Sequence, residues 1–290
     1  MRISGLAVRL ILWGSGWVTP LVAQDHRGAL LQADRRAAQL ASDSGLATAV
    51  RRVLHRDGVL LWPDAPILAG TTQIKDFLAS RSRSTALSMT WEPLEVELSQ
   101  DSTLAALWGV VVVNPQTPAG TGLGRFISMW GRDQSGWTMT GLVLIGSNIP
   151  AAPPLPPGIP LSSPAARFSP ESQPFVAADL AFAHLARDSG AATAFRTWAD
   201  DGALIFGGGG LLTRGPAAIG RAVGGPERWD WHPVMAGGAP AGDLGWTTGE
   251  AVITGKEGTA SYSKYLTVWV RRGGATRFLL DGGNARPRSP

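Results

Sequence analysis

Read as apolar and polar positions, the chain runs through one order of periodicities twice. Residues 27–42 carry Leu30, Leu31, Ala37, Ala38, Leu40 and Ala41 at three- and four-residue spacings, which predicts an amphipathic helix. Asp43-Ser44-Gly45 ends it. Leu46, Ala49, Val50, Val53 and Leu54 then predict a second helix that stops at Asp57-Gly58. Residues 59–62 read as a short strand, and Gly70-Thr71-Thr72 opens a third helix through Ile74, Phe77 and Leu78. From Met89 the period falls to two, predicting strands over 89–98, 104–113, 122–130 and 137–145. The order then returns. Helices are expected over 175–187 and 191–199, a strand over 203–206, a helix from Gly215-Pro216, and strands over 229–235, 244–254, 260–270 and 276–280. Helices followed by a run of strands, without strand-helix alternation, predict an α+β fold in each half: N-terminal helices packed on a curved antiparallel sheet.

The recurrence is also one of letters. ADRRAAQLASDSGLATAV, from Ala33, and ADLAFAHLARDSGAATAF, from Ala178, share eleven of eighteen ungapped positions, where about one is expected by chance. Trp-x-Pro occurs at Trp91 and Trp231, aromatic-x-x-x-Trp at Phe126 and Tyr265, and Gly-x-Asn at Gly146 and Gly282. A duplicated module is therefore expected, one copy at 27–148 and one at 175–286. Between them, residues 149–174 are rich in proline, which removes donors and fixes φ and so predicts a semi-rigid linker.

Composition changes this picture at three points. Residues 1–23 combine Arg2 and Arg9 with a short apolar core and end in Leu-Val-Ala, the pattern of a signal peptide, and so predict export to the periplasm or medium with no membrane association after cleavage. Removing that segment takes two arginines and no acid, so the formal charge falls from +4 to +2; no basic face for nucleic acid is expected. The absence of cysteine excludes disulfides, thiolate metal sites and cysteine nucleophiles.

DSGAATAFRTWADDGALIF, GDLGWTTGEAVITG, KYLTVWVRR and LLDGGN, in that order, resemble the nuclear transport factor 2-like (NTF2-like) superfamily, within it the DUF4440 and SnoaL-like domains. The resemblance covers residues 175–286 well and 27–148 more weakly. It implies two tandem cone-shaped domains, each a curved sheet wrapped around helices and a cavity, in a superfamily of isomerases, dehydratases, polyketide cyclases and non-catalytic binding modules. Sheet-to-sheet pairing in that superfamily implies an intramolecular pseudo-dimer here, with a homo-oligomer as a further possibility.

Alternation puts Tyr265, Thr267 and Trp269 on one strand face and Leu266, Val268 and Val270 on the other. The mixed face is the candidate pocket wall, with Trp231, Trp246 and Asn284 as further ligand contacts. Asp281 ends the neighbouring strand, and the resemblance implies that an Asp before Gly-x-Asn faces the cavity. Aligning the two Gly-x-Asn motifs sets Ile145 against Asp281, which assigns any acid-base site to the second half. A carboxylate in an aromatic cavity has its pKa raised by desolvation, so Asp281 with Tyr265 or His232 forms the candidate catalytic set. The plainer readings are a turn-capping Asp281 and a structural His232. Asp200-Asp201-Gly202 is read as a turn. Gly207–Gly210 lacks a following Lys-Ser or Lys-Thr, and the four His show no ligand spacing, so neither a cofactor nor a metal is expected. The expected function is binding of a small apolar or aromatic molecule in the second cone. The alternatives are a cofactor-independent isomerase, dehydratase or cyclase, and a non-catalytic structural or protein-interaction module.

Overall fold

A computed structural model describes residues 21–84, 87–115, 122–146, 149, 160, 164–207 and 210–288. Most of residues 1–23, on which the leader expectation rests, most of the expected proline linker, and Asn148 of the first Gly-x-Asn lie outside them.

The first module begins with α1 (Leu21–Ser44) and α2 (Leu46–Val53), then β1 (Leu54–Leu61), β2 (Leu68–Ala69) and α3 (Thr71–Ser84). The meander β3 (Leu87–Leu98), β4 (Leu104–Pro115), β5 (Gly122–Asp133) and β6 (Gly136–Ile145) completes it. The second module repeats the order: α4 (Gln173–Ser189), α5 (Ala191–Trp198), β8 (Ala199–Phe206), β9 (Leu212–Arg214), α6 (Pro216–Ala222), then β10 (Arg228–Gly238), β11 (Leu244–Thr254), β12 (Ala260–Arg272) and β13 (Ala275–Ala285). Within the segment read as linker, β7 (Arg167–Phe168) pairs with β10, and a 3-10 turn covers Pro170–Ser172. The strand orders are β2-β1-β6-β5-β4-β3 and β7-β10-β11-β12-β13-β8-β9.

Two local expectations are corrected. The second helix of each module ends earlier than its apolar stripe suggests, at Val53 and Trp198, and Asp57-Gly58 and Asp200-Asp201-Gly202 lie inside β1 and β8 rather than in turns. In both strands the pairing register shifts across these residues; a glycine beside an acid marks a bulge in a strand here, which short-range pattern does not separate from a turn. The sheets are also not wholly antiparallel, because β1 runs parallel to β6 and β8 parallel to β13.

The repeated Trp-x-Pro has a structural role. Pro93 and Pro233 each precede a register shift, on β3 and β10, at or near a sheet edge where a missing N–H is tolerated. Opposite them stand Gly109 and Gly249, where a β-carbon would collide with the Glu92 or His232 carbonyl. The bulge bends each sheet around its helices.

Three apolar layers result. One lies inside the first cone, around Leu30, Trp62, Phe77 and Trp130; one lies inside the second, around Phe175, Phe182, Trp269 and Phe278. The third lies between the convex sheet faces, where Trp108, Ile127, Val143 and Ile145 pack against Phe206, Trp246, Leu266, Val268 and Leu280. Trp108 meets Phe206 edge-on at 5.5 Å between ring centroids. Reciprocal bonds flank this seam: Gln100 N–H donates to Asp243 Oδ2 and Ala241 N–H to Asp101 Oδ2, both 2.9 Å. Arg272 bridges Glu97 at 2.6 Å and Asp200 at 3.1 Å. No helix among the described residues is long and apolar enough to cross a membrane.

Candidate functional site

The alternation of β12 divides its side chains between two cores. Leu266, Val268 and Val270 belong to the seam, while Tyr265 and Trp269 face the second cone. Inside that cone is a cavity of about 370 Å³ whose walls include Phe182, Phe195, Trp229, Trp231, Tyr265 and Thr267. Trp269 closes the narrow end: it is fully buried and packs on Phe182, Trp198 and Phe278 without reaching the hollow. Asp281 and Thr267 are thus at the deep end, and Tyr262, Ser263 and Ile253, all partly exposed, are at the outer one.

Thr267 donates to Asp281 Oδ2 at 2.6 Å, the single hydrogen bond described for that carboxylate. Protein encloses Asp281, yet the residue keeps accessible surface because it opens on the cavity. Burial, and then the nearby charge of Asp179, push its pKa up to about 7. Tyr265 donates to Asp179 Oδ2 at 2.9 Å and Trp231 Nε1 to Asp179 Oδ1 at 2.8 Å. The Thr247 hydroxyl also bonds Asp179 and accepts from Trp269 Nε1 at 2.9 Å. Burial raises Asp179 to about 6 despite these bonds. Burial and the Asp179 charge hold the Tyr265 phenol well above its ordinary range, so it stays protonated.

Asp179, which holds Tyr265 and Trp231 from behind the cavity wall, is the residue that sequence reasoning passed over. Its counterpart Asp34 accepts from Trp91 Nε1 at 3.2 Å on both oxygens, and burial raises it to about 6. The signal was present: the repeat keeps an acid on the apolar face of the first helix together with the Trp of Trp-x-Pro. An acid on that face needs a buried donor.

Other expected residues fall elsewhere. His232 is exposed on the outer face of β10, because Trp231 takes the inward position. Trp246 is on the seam face of β11 and lines a groove between the modules with Met235, Gly237 and Arg167. Asn284 borders the cavity, but its amide donates to the first module's Leu61 and Leu144 carbonyls at 2.9 and 2.8 Å. Asp200 is engaged by Arg272, and no cluster of potential metal ligands occurs among the described residues.

Strand register corrects the matching of the two modules. Thr267 pairs with Asp281 as Ser128 pairs with Leu142, so the first-module counterpart of Asp281 is Leu142, three residues before Ile145. Ile145 corresponds to Asn284 and packs into the seam. By the same register Leu144 corresponds to Gly283, Phe126 to Tyr265 and Val111 to Ala251. Leu142, Leu144 and Val111 are bulkier than their counterparts and, with Phe126, fill the first cone, where about 10 Å³ is left among the described residues between Val50, Trp91, Phe126, Leu142 and Leu144. Gly283 cannot be replaced simply, since a β-carbon there would collide with the Lys264 carbonyl; one on Gly282 would meet Ile145 of the first module.

No family model and no curated protein matches the chain. Among solved structures it is similar to an NTF2-like protein with a cystatin-like fold from Novosphingobium aromaticivorans, at 18% identity and a TM-score of 0.37, covering 43% of this chain and 83% of that one. It is similar to an NTF2-like protein of unknown function from Pseudomonas putida KT2440, at 15% identity and 0.37, covering 46% and 98%. An uncharacterised protein with a cystatin-like fold from Caulobacter vibrioides gives 13% identity and 0.36, covering 41% and 88%. Helices laid into a curved four-stranded meander that a parallel strand extends thus occur twice in this chain, built from one repeated sequence.

Proposed function

We propose that the second module binds a small, largely apolar molecule of one or two rings in its cone. The observation that carries this is the difference between the hollows: about 370 Å³ in the second cone against about 10 Å³ in the first, on the same Asp-Trp framework. The larger volume is within the usual range of small-molecule sites, and aromatic walls with few polar groups suit such a ligand. Ala251→Phe, which fills the cone from β11, is expected to abolish binding of aromatic probes while leaving the circular dichroism spectrum intact. Undiminished binding by a folded variant would refute the reading.

Asp281 supports a second reading, acid-base catalysis of an isomerase or dehydratase type. A carboxylic acid raised to about 7 is partly ionised at neutral pH and can both take and return a proton. Loss of turnover with unchanged affinity in Asp281→Asn would establish it; a wild type without turnover on any bound ligand would remove it. We further propose that the two modules act as one body in solution, held by the seam, and that the chain is exported by way of residues 1–23.

A further inference from the structure

With Asp281 ionised, the deep end of the cone has acceptors and, among the described side chains that reach it, no uncommitted donors. Trp231 N–H and Tyr265 O–H go to Asp179, Thr267 O–H to Asp281, and Trp269 N–H to Thr247. Asn284 gives its amide hydrogens to Leu61 and Leu144, and Lys264 Nζ donates to the Ala285 carbonyl at 2.7 Å. What remains is the second oxygen of Asp281, with lone pairs on Tyr265 and Thr267. Asn284 Oδ1 is buried without a partner among the described residues. Once Asp281 is ionised, a ligand whose polar group is only an acceptor would meet acceptors.

We propose that the second cone selects a compact organic cation, an aromatic or alicyclic amine whose ammonium bonds the free oxygen of Asp281 while its ring packs against the wall formed by Phe195 and Trp231. This rests on the reading of the cone as a ligand cavity. The cation supplies what both carboxylates lack, an opposite charge, and the aromatic walls add cation-π attraction. The groups facing Asp281 are Asp179 from α4 and Tyr265 from β12, while β8 and α5 present the apolar Ile205 and Phe195. Lys264, whose pKa burial pushes well below its ordinary value, donates from Nζ to the Ala285 carbonyl, and Arg286 is paired with Glu250. Binding and ionisation are therefore linked, since the cation favours the ionised acid and the ionised acid favours the cation. With Asp281 near 7, its ionised fraction, and so the affinity for a permanent cation, rises about tenfold between pH 6 and pH 8.

The test is calorimetric titration of the full chain with benzylamine, benzyl alcohol and acetophenone at pH 6 and 8, for the wild type and Asp281→Asn. Benzylamine remains protonated at both pH values. Expected are at least tenfold tighter binding of benzylamine than of benzyl alcohol at pH 8, about tenfold weaker benzylamine binding at pH 6, and loss of the amine preference in Asp281→Asn with benzyl alcohol retained. Benzyl alcohol or acetophenone binding as tightly as benzylamine at pH 8, or benzylamine affinity independent of pH, overturns the cation proposal and leaves the cavity reading standing. Failure of all three to bind the wild type overturns both. The wild-type pH series needs no variant, so a poorly folded Asp281→Asn would not shield the proposal.

Discussion

The two cones share a framework and differ in what fills it. Each keeps an acid on its first helix bonded to the indole of a bulged strand at or next to the sheet edge, Asp34 with Trp91 and Asp179 with Trp231. Since the pair persists where almost no space remains, it belongs to the scaffold. What distinguishes the second cone is Asp281 for Leu142, Gly283 for Leu144, Ala251 for Val111 and Tyr265 for Phe126. A few substitutions on three adjacent strands separate a packed core from a site, and they put one carboxylate at the bottom of the space they open.

The largest effect is expected where the second cone replaces wall packing with an aromatic hub. Phe182 contacts Phe195, Trp231, Trp269 and Phe278, whereas the equivalent helix position in the first module is Ala37. Phe182→Ala is expected to cost about 3–5 kcal/mol in denaturant unfolding. A loss below about 1 kcal/mol would show that the hub is not what holds the walls of the hollow cone.

Leu144→Ala makes the converse change, opening the first cone at the position the second gives to Gly283. It is expected to cost about 2–5 kcal/mol, without creating affinity for amines, because no carboxylate comes with the space. A variant that binds benzylamine as the second cone does would show that volume alone makes the site.

Asp281 supplies the next contrast. Its folded pKa is raised, as is that of Asp179, so protonation favours the folded state. Their contribution is present in full below about pH 4 and is lost as pH rises through about 6 and 7. Asp281→Asn should therefore be more stable than the wild type at pH 8, on the order of 2–4 kcal/mol, with the difference shrinking toward pH 4. A variant less stable than the wild type at pH 8 would mean that the ionised carboxylate has a partner beyond Thr267. Smallest of all, Arg272→Ala removes a half-exposed bridge across the seam and should cost under about 1 kcal/mol.

Much of the fold was legible because periodicity reports burial. The two copies of the repeat fit the two sheets, and alternation assigned the two faces of β12 to the two cores that the structure shows. What could not be read depended on partners distant in sequence. The parallel pairing of β1 with β6 and of β8 with β13 leaves no local trace, and bulges at Asp57-Gly58 and Asp200–Gly202 look like turns. The letter match of Gly-x-Asn misplaced Asp281 by three residues, because β13 continues to Ala285 whereas β6 ends at Ile145. His232 and Trp246 were chosen by residue type, and each points away from the cone because its neighbour, Trp231 or Thr247, takes the inward position. Asp179 was visible as a shared letter, but its meaning came from the indole, phenol and hydroxyl that surround it.

The central claim is that one cone is hollow and its twin is filled, and crystals of the full chain under xenon pressure test it most directly, since xenon enters apolar cavities. The account predicts xenon density against Phe195 and Trp231 in the second module and none among Leu142, Leu144 and Phe126 in the first. Density in the first cone, or in neither, would contradict it.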